Sequence, residues 1–93
     1  MNFERELDAE SPLKFPCSFP IKVMGRHEAD FEARVVAMIS EHVGALPPGS
    51  VRSRESSHGR FLSVTVTVMA ESREQLDNVY RALTASEHVL FVL

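Results

Sequence analysis

From Phe61 to Val68 the chain alternates without a break: Leu62, Val64, Val66 and Val68 fall on one side, and Ser63, Thr65 and Thr67 on the other. Only a β-strand, whose side chains change face at every residue, turns that order into one apolar and one polar surface. The valine face needs an apolar cover, while the serine and threonine face suits solvent. Whatever surrounds this strand must therefore be a sheet covered on one side.

The neighbouring segments supply the sheet and its cover. In "FPCSFPIKVMG", Pro16 and Pro20 lack a backbone N–H, so a first strand is expected to begin near Phe19 or Ile21 and to end at Gly25. From about Glu28 to Val43 the period changes. Phe31, Val35, Met38, Ile39, His42 and Val43 form one stripe at three- and four-residue spacing, which predicts a helix. Gly44 and then Pro47-Pro48-Gly49 stop it. "SVRSRESS" holds one apolar residue, Val51, and reads as a weak edge strand; "SSHGR" turns the chain, with Gly59 free to take positive φ. After the alternating strand, Ser72 and Gln75 form a capping box that opens a second helix, with Leu76, Val79, Tyr80 and Leu83 inward. "EHVLFVL" closes the chain as an almost wholly apolar strand, expected to be covered on both sides.

The order strand, helix, strand, strand, helix, strand is the split βαβ pattern of α+β ferredoxin-like sandwiches. Right-handed crossovers place both helices on one face of a four-stranded antiparallel sheet, order 4-1-3-2. Residues 13–93 make one such domain. Residues 1–12 read as a flexible acidic tail, since Glu4, Glu6, Asp8 and Glu10 against Arg5 account for the whole net charge of −3. The rest of the chain balances to zero, which offers no sustained positive field for nucleic acid. One cysteine, Cys17, excludes an internal disulfide, and no apolar run is long enough for a membrane span. With acids where a signal peptide needs basic residues, a cytoplasmic location is expected.

Most chemistries of this fold lack their residues here. RNA recognition modules stack bases on aromatics of the first and third strands, whereas this chain offers Lys22 and Met24 on the first strand and Phe61 alone on the third. Copper chaperones need two cysteines in the first loop. Acylphosphatases need an asparagine on the second strand, and Asn2 and Asn78 both lie elsewhere. The histidines His27, His42, His58 and His88 have no ligand-like spacing, so no metal, cofactor or catalytic group is assigned and the chain reads as a non-enzyme.

Three candidate sites remain. Gly25, Arg26 and His27, at the start of the first helix, could hold a small carboxylate. Leu90 and Val92 of the last strand, with Met24 beside them on the outer sheet face, form a candidate surface for a homodimer or a protein partner. Arg52, Arg54, His58 and Arg60 form a basic patch on the second hairpin, diluted by Glu55.

Lys22-Val23-Met24-Gly25, the hairpin Ser57-His58-Gly59-Arg60-Phe61-Leu62-Ser63-Val64-Thr65-Val66 and the closing "VLFVL" resemble the YbeD-like family of small bacterial proteins from about Leu13 to Leu93. The resemblance implies a fold similar to the ACT regulatory domain. It also implies a regulatory role in binding lipoate or an amino acid, near the first strand-to-helix loop, by position Gly25, Arg26 and His27.

Overall fold

A computed structural model describes residues 13–93; the expected tail, residues 1–12, lies outside the described residues. The chain runs β1 (Cys17–Arg26), α1 (Phe31–Val43), β2 (Val51–Glu55), β3 (Phe61–Ala70), α2 (Arg73–Ala85) and β4 (Val89–Val92). The four strands form one antiparallel sheet in the order β2-β3-β1-β4, the expected ferredoxin-like topology. β1 and β3 pair without interruption from Cys17 opposite Ala70 to Arg26 opposite Phe61.

Strand alternation sends Phe19, Ile21 and Val23 of β1, and Leu62, Val64, Val66, Val68 and Ala70 of β3, to one face. There they meet Phe31, Val35 and Ile39 of α1 and Leu76, Val79, Tyr80 and Leu83 of α2, all buried in one core. The helical stripe and the strand alternation thus close on each other, and burial of this apolar area is the main stabilising term. Polar links fasten the margins. Ser53 on β2 donates to a carboxylate oxygen of Glu32 on α1, and Gln75 Nε2 on α2 donates to the His42 carbonyl at 3.1 Å. The Ser72 hydroxyl accepts from the Gln75 amide at 3.0 Å, as the capping box requires. The Gln75 side chain reaches one residue further back than expected, accepting from the Glu71 amide at 2.8 Å.

Three boundaries differ from expectation. β1 starts at Cys17 and carries Pro20 in its interior. Lys22 and Leu93 exchange both backbone hydrogen bonds, so the even residues of β1 direct their N–H groups toward β4. Pro20 therefore lacks its N–H on the side where β4 has already ended, and no ladder bond is lost. Helix α1 starts at Phe31 because the His27 amide still donates to the Arg60 carbonyl at 2.8 Å, keeping the loop on β3. β1 also continues through Gly25 to Arg26, so Gly25 is a strand residue and not a turn.

Gly25 has a steric reason to be there. A Cβ at this position would lie 2.5 Å from Phe31 Cζ and 2.6 Å from the His88 carbonyl oxygen. The ring of α1's first residue rests on the bare Cα, and the approach to β4 passes on the same side. Gly59, at φ +69°, is the residue the β2–β3 turn needs in the left-handed region.

At the head of α1, Asp30 makes no side-chain cap. Its Oδ2 instead accepts from Arg34 Nε at 2.9 Å and lies 2.8 Å from Arg34 Nη2. The hydrogen bond from Arg34 is the largest cause holding the Asp30 carboxyl below its ordinary value of 3.8. A depressed carboxylate stabilises the fold above its ordinary range and loses that contribution as pH falls through the folded value. For an exposed pair this effect is small.

Two outcomes follow from this packing. Gly25→Ala should overpack the Phe31 contact and cost about 1–3 kcal/mol, lowering Tm by roughly 4–8 °C per kcal/mol for a domain of this size; an unchanged Tm would contradict the contact. In an NMR titration, the Asp30 carboxyl should titrate below 3.8 in the wild type and move upward in Arg34→Gln. A wild-type value at or above 3.8 would mean the pair does not persist in solution.

Candidate functional site

The expected carboxylate loop is closely engaged. Its backbone amide at His27 is already bonded to Arg60, and His27 Nδ1 lies 3.1 Å from the Gly59 carbonyl oxygen and 3.0 Å from Glu55 Oε1. Both partners accept, so Nδ1 carries the hydrogen. His88 Nδ1 lies 3.8 Å from Glu28 Oε1. His27 and His88 thus each face a carboxylate, and an anion entering here would meet Glu28 and Glu55 at close range. The Phe31 ring fills the space beside Gly25. Arg26 is exposed and, as an even residue of β1, belongs to the opposite face of the sheet.

The expected interaction surface is only partly placed as read. Val92 pairs with Val23 and packs partly buried against the core, so it does not sit beside Met24. Phe91 takes that position, opposite Met24. The register shifts between Met24 and Gly25, with Leu90 as the extra residue of β4. Leu90 is 48% exposed, Phe91 46% and Leu93 52%. Leu93 continues the pairing opposite Lys22 and so falls on the outer face with Phe91. One side of the terminal strand is covered, by α2; the other is open.

The basic patch on the second hairpin divides in two. His58 and Arg60 stay at the hairpin tip, beside a depression of about 570 Å³ that also includes Ser56, Ser57 and Phe61. Arg52 and Arg54 pair with Thr65 and Ser63, which puts them on the outer face of the sheet. On β1 the same face carries Lys22 and Arg26. The strand positions of this face therefore hold four cations and no acid, around Met24, Phe61 and Phe91, with Met69 exposed at the far end. Its floor is a shallow depression of about 260 Å³ bounded by Lys22, Met24, Arg54, Phe61 and Ser63, with Glu55 at the rim held toward His27. Lys22, Arg26 and Phe91 had no signal of adjacency in the sequence; the pairing register alone brings them together with Arg52 and Arg54.

Other chemistry has little to build on. Cys17 is a partly buried thiol against the edge of the core. Among the described residues no three His, Cys, Asp or Glu side chains gather as a metal site. No helix among them is long and apolar enough to cross a membrane.

Comparison with known proteins agrees with this architecture. The solution structure of protein HP0495 from H. pylori superposes with a TM-score of 0.71, covering 92% of this chain and 91% of that one at 15% sequence identity, which shows a shared fold. A UPF0250 protein of Janthinobacterium sp. (strain Marseille) is 46% identical over 89 residues, spanning 95% of this chain and 98% of the relative. UPF0250 proteins of Paraburkholderia phymatum and Neisseria gonorrhoeae are 46% and 43% identical, over 90% and 89% of this chain and 94% and 91% of their own lengths. The family described as "Protein of unknown function (DUF493)" matches residues 10–93. With that match and these identities, the chain belongs to the DUF493 (UPF0250) family, the YbeD-like group of small bacterial proteins.

Proposed function

We propose that this chain is a non-catalytic docking module whose uncovered sheet face receives an acidic segment of a partner protein. The observation that supports it is the composition of that face: Lys22, Arg26, Arg52 and Arg54, no acid at a strand position, and Phe91, Met24 and Phe61 among them. Apolar side chains gain from exclusion of water, and carboxylates of the partner offset the cations brought into contact. A protein segment fits this face better than a nucleic acid, because β1 carries Lys22 and Met24 outward where base stacking needs aromatic side chains.

The reading of Gly25, Arg26 and His27 as a site for lipoate or an amino acid has less support. The Phe31 ring occupies the space at Gly25, and the two nearby histidines face Glu55 and Glu28.

The test is retention of partners by the immobilised full chain, followed by affinity measurement with each protein identified. Arg52→Glu with Arg54→Glu, and separately Phe91→Asp, should each weaken binding by about tenfold or more. Arg73→Glu on the helical side should leave it unchanged. Equal retention by all three variants would overturn the docking face. An NMR titration with lipoate and octanoate discriminates the other reading: shifts confined to Gly25–His27, with a silent outer face, would favour the small-acid site.

A further inference from the structure

Paired residues cross the outer face in a constant order. Arg52 on β2, Thr65 on β3, Lys22 on β1 and Leu93 just past β4 lie in one row, and Arg54, Ser63, Met24 and Phe91 in the next. Both rows run from a cation at the β2 edge, over a hydroxyl, to an apolar side chain at the β4 edge. The middle is also the lowest part. Ser63 and Thr65 are half-buried between the exposed Arg52, Arg54 and Lys22, and with Thr67 they floor a trough along β3. Phe61 stands at one end of it and Met69 at the other. One wall is cationic; the other, Lys22 excepted, is apolar.

The dimensions select what can lie there. In the order β2-β3-β1-β4 the outer strands are three spacings apart, about 14 Å. An extended segment laid along the trough turns one line of side chains to the sheet, so it reaches Arg52 and Arg54 or Phe91 and Leu93, not both pairs. Laid across the strands, it meets each of them once. An α-helix, about 10–12 Å across, fills the trough and touches both walls, with residues three and four apart repeating along each flank. From Phe61 to Met69 the trough runs for about 27 Å, room for a helix of about eighteen residues. Neither α1 nor α2 of a second copy can supply it, because their apolar stripes are buried in their own core.

We infer that the partner's segment is an amphipathic helix lying along β3, its acidic flank against Arg52 and Arg54 and its apolar flank against Met24, Phe91 and Leu93. This rests on the reading of the outer face as the docking surface.

The probe is a synthetic alanine-based helix of about sixteen residues. It carries glutamates at i, i+4, i+7 and i+11 and a leucine immediately before each, which sets acids and leucines on adjoining flanks. It is titrated into the isotope-labelled full chain and followed by amide NMR. The expected result is saturable displacement of the Met24, Arg52, Arg54, Ser63, Thr65 and Phe91 signals, with Val35 and Leu76 unmoved. A nitroxide on the acidic flank should broaden Arg52 and Arg54 more than Phe91 and Leu93, and one on the leucine flank the reverse. A proline at the peptide's centre should weaken binding about tenfold or more, since it breaks the helix and keeps every glutamate and leucine. Arg52→Glu with Arg54→Glu should reject this peptide and accept one with lysines in place of the glutamates. Equal binding of the proline peptide, no saturable shift at millimolar peptide, or the same broadening from both labels would overturn the inference. So would outer-face signals that move with protein concentration alone, which report a second copy on the face. Partner retention is read separately. Retention that still depends on Arg52, Arg54 and Phe91, with the helix failing here, removes the helix and leaves the docking face standing.

Discussion

The Phe31 ring stands where any side chain at position 25 would have to be. Three elements meet at that point: β1 through the bare Cα of Gly25, α1 through its first residue, and the approach to β4 through the His88 carbonyl. Interiors are packed too densely for any of the three to move aside independently. The joint also bears on the phase of the last strand. Val89 lies opposite Gly25, Leu90 is the extra residue, and Phe91 lies opposite Met24. This register sends Val89 and Val92 to the core side and Phe91 to the open side.

Much of the architecture could be read from residue order alone, because its signals are local. The alternation of β3 names its buried residues, Leu62, Val64, Val66 and Val68, and the two helical stripes name Phe31, Val35, Ile39, Leu76, Val79 and Leu83. Ser72 and Gln75 announce the second helix by a bond spanning three residues. What could not be read depends on partners distant in sequence. Pro20 suits the interior of β1 only because β4 stops before reaching it. Gly25 resembles a turn glycine until Phe31 is placed over it. "VLFVL" carries no phase of its own, since apolar residues stand at every position, and so Val92 was expected where Phe91 lies. The basic patch was legible only as neighbours along one hairpin. Lys22 and Arg26 join Arg52 and Arg54 through sheet register, which no spacing within either segment encodes.

The two edges of the sheet are poor places to receive another strand. β2 is five residues long and exposes Arg52, Ser53, Arg54 and Glu55. β4 is four residues long and irregular beside Leu90, and past its end Pro20 interrupts the donors that β1 would otherwise offer. Short, charged or irregular edges are the usual protection against unwanted pairing. The face is different. Right-handed crossovers put both helices on the same side, so this fold leaves one broad surface uncovered, and here that surface combines cations with aromatic and sulfur-containing side chains.

Charge distribution decides how such a surface can act. Outside residues 1–12 the chain is electrically balanced, and four of the nine lysines and arginines there stand on the outer sheet face, where no acid holds a strand position; the acids lie on the helices, the loops and the rim. A balanced but polarised domain has little field beyond about a Debye length, roughly 8 Å at physiological ionic strength. It cannot gather partners from a distance as a strongly charged protein does. On the proposed docking reading, recognition would come from contact: Phe91 and Met24 supply area that excludes water, and the four cations would discriminate among the sequences laid against them. Each exposed ion pair contributes little alone. Specificity for an acidic segment therefore depends on several pairs forming together at a common repeat, and the register of β1, β2 and β3 provides that spacing.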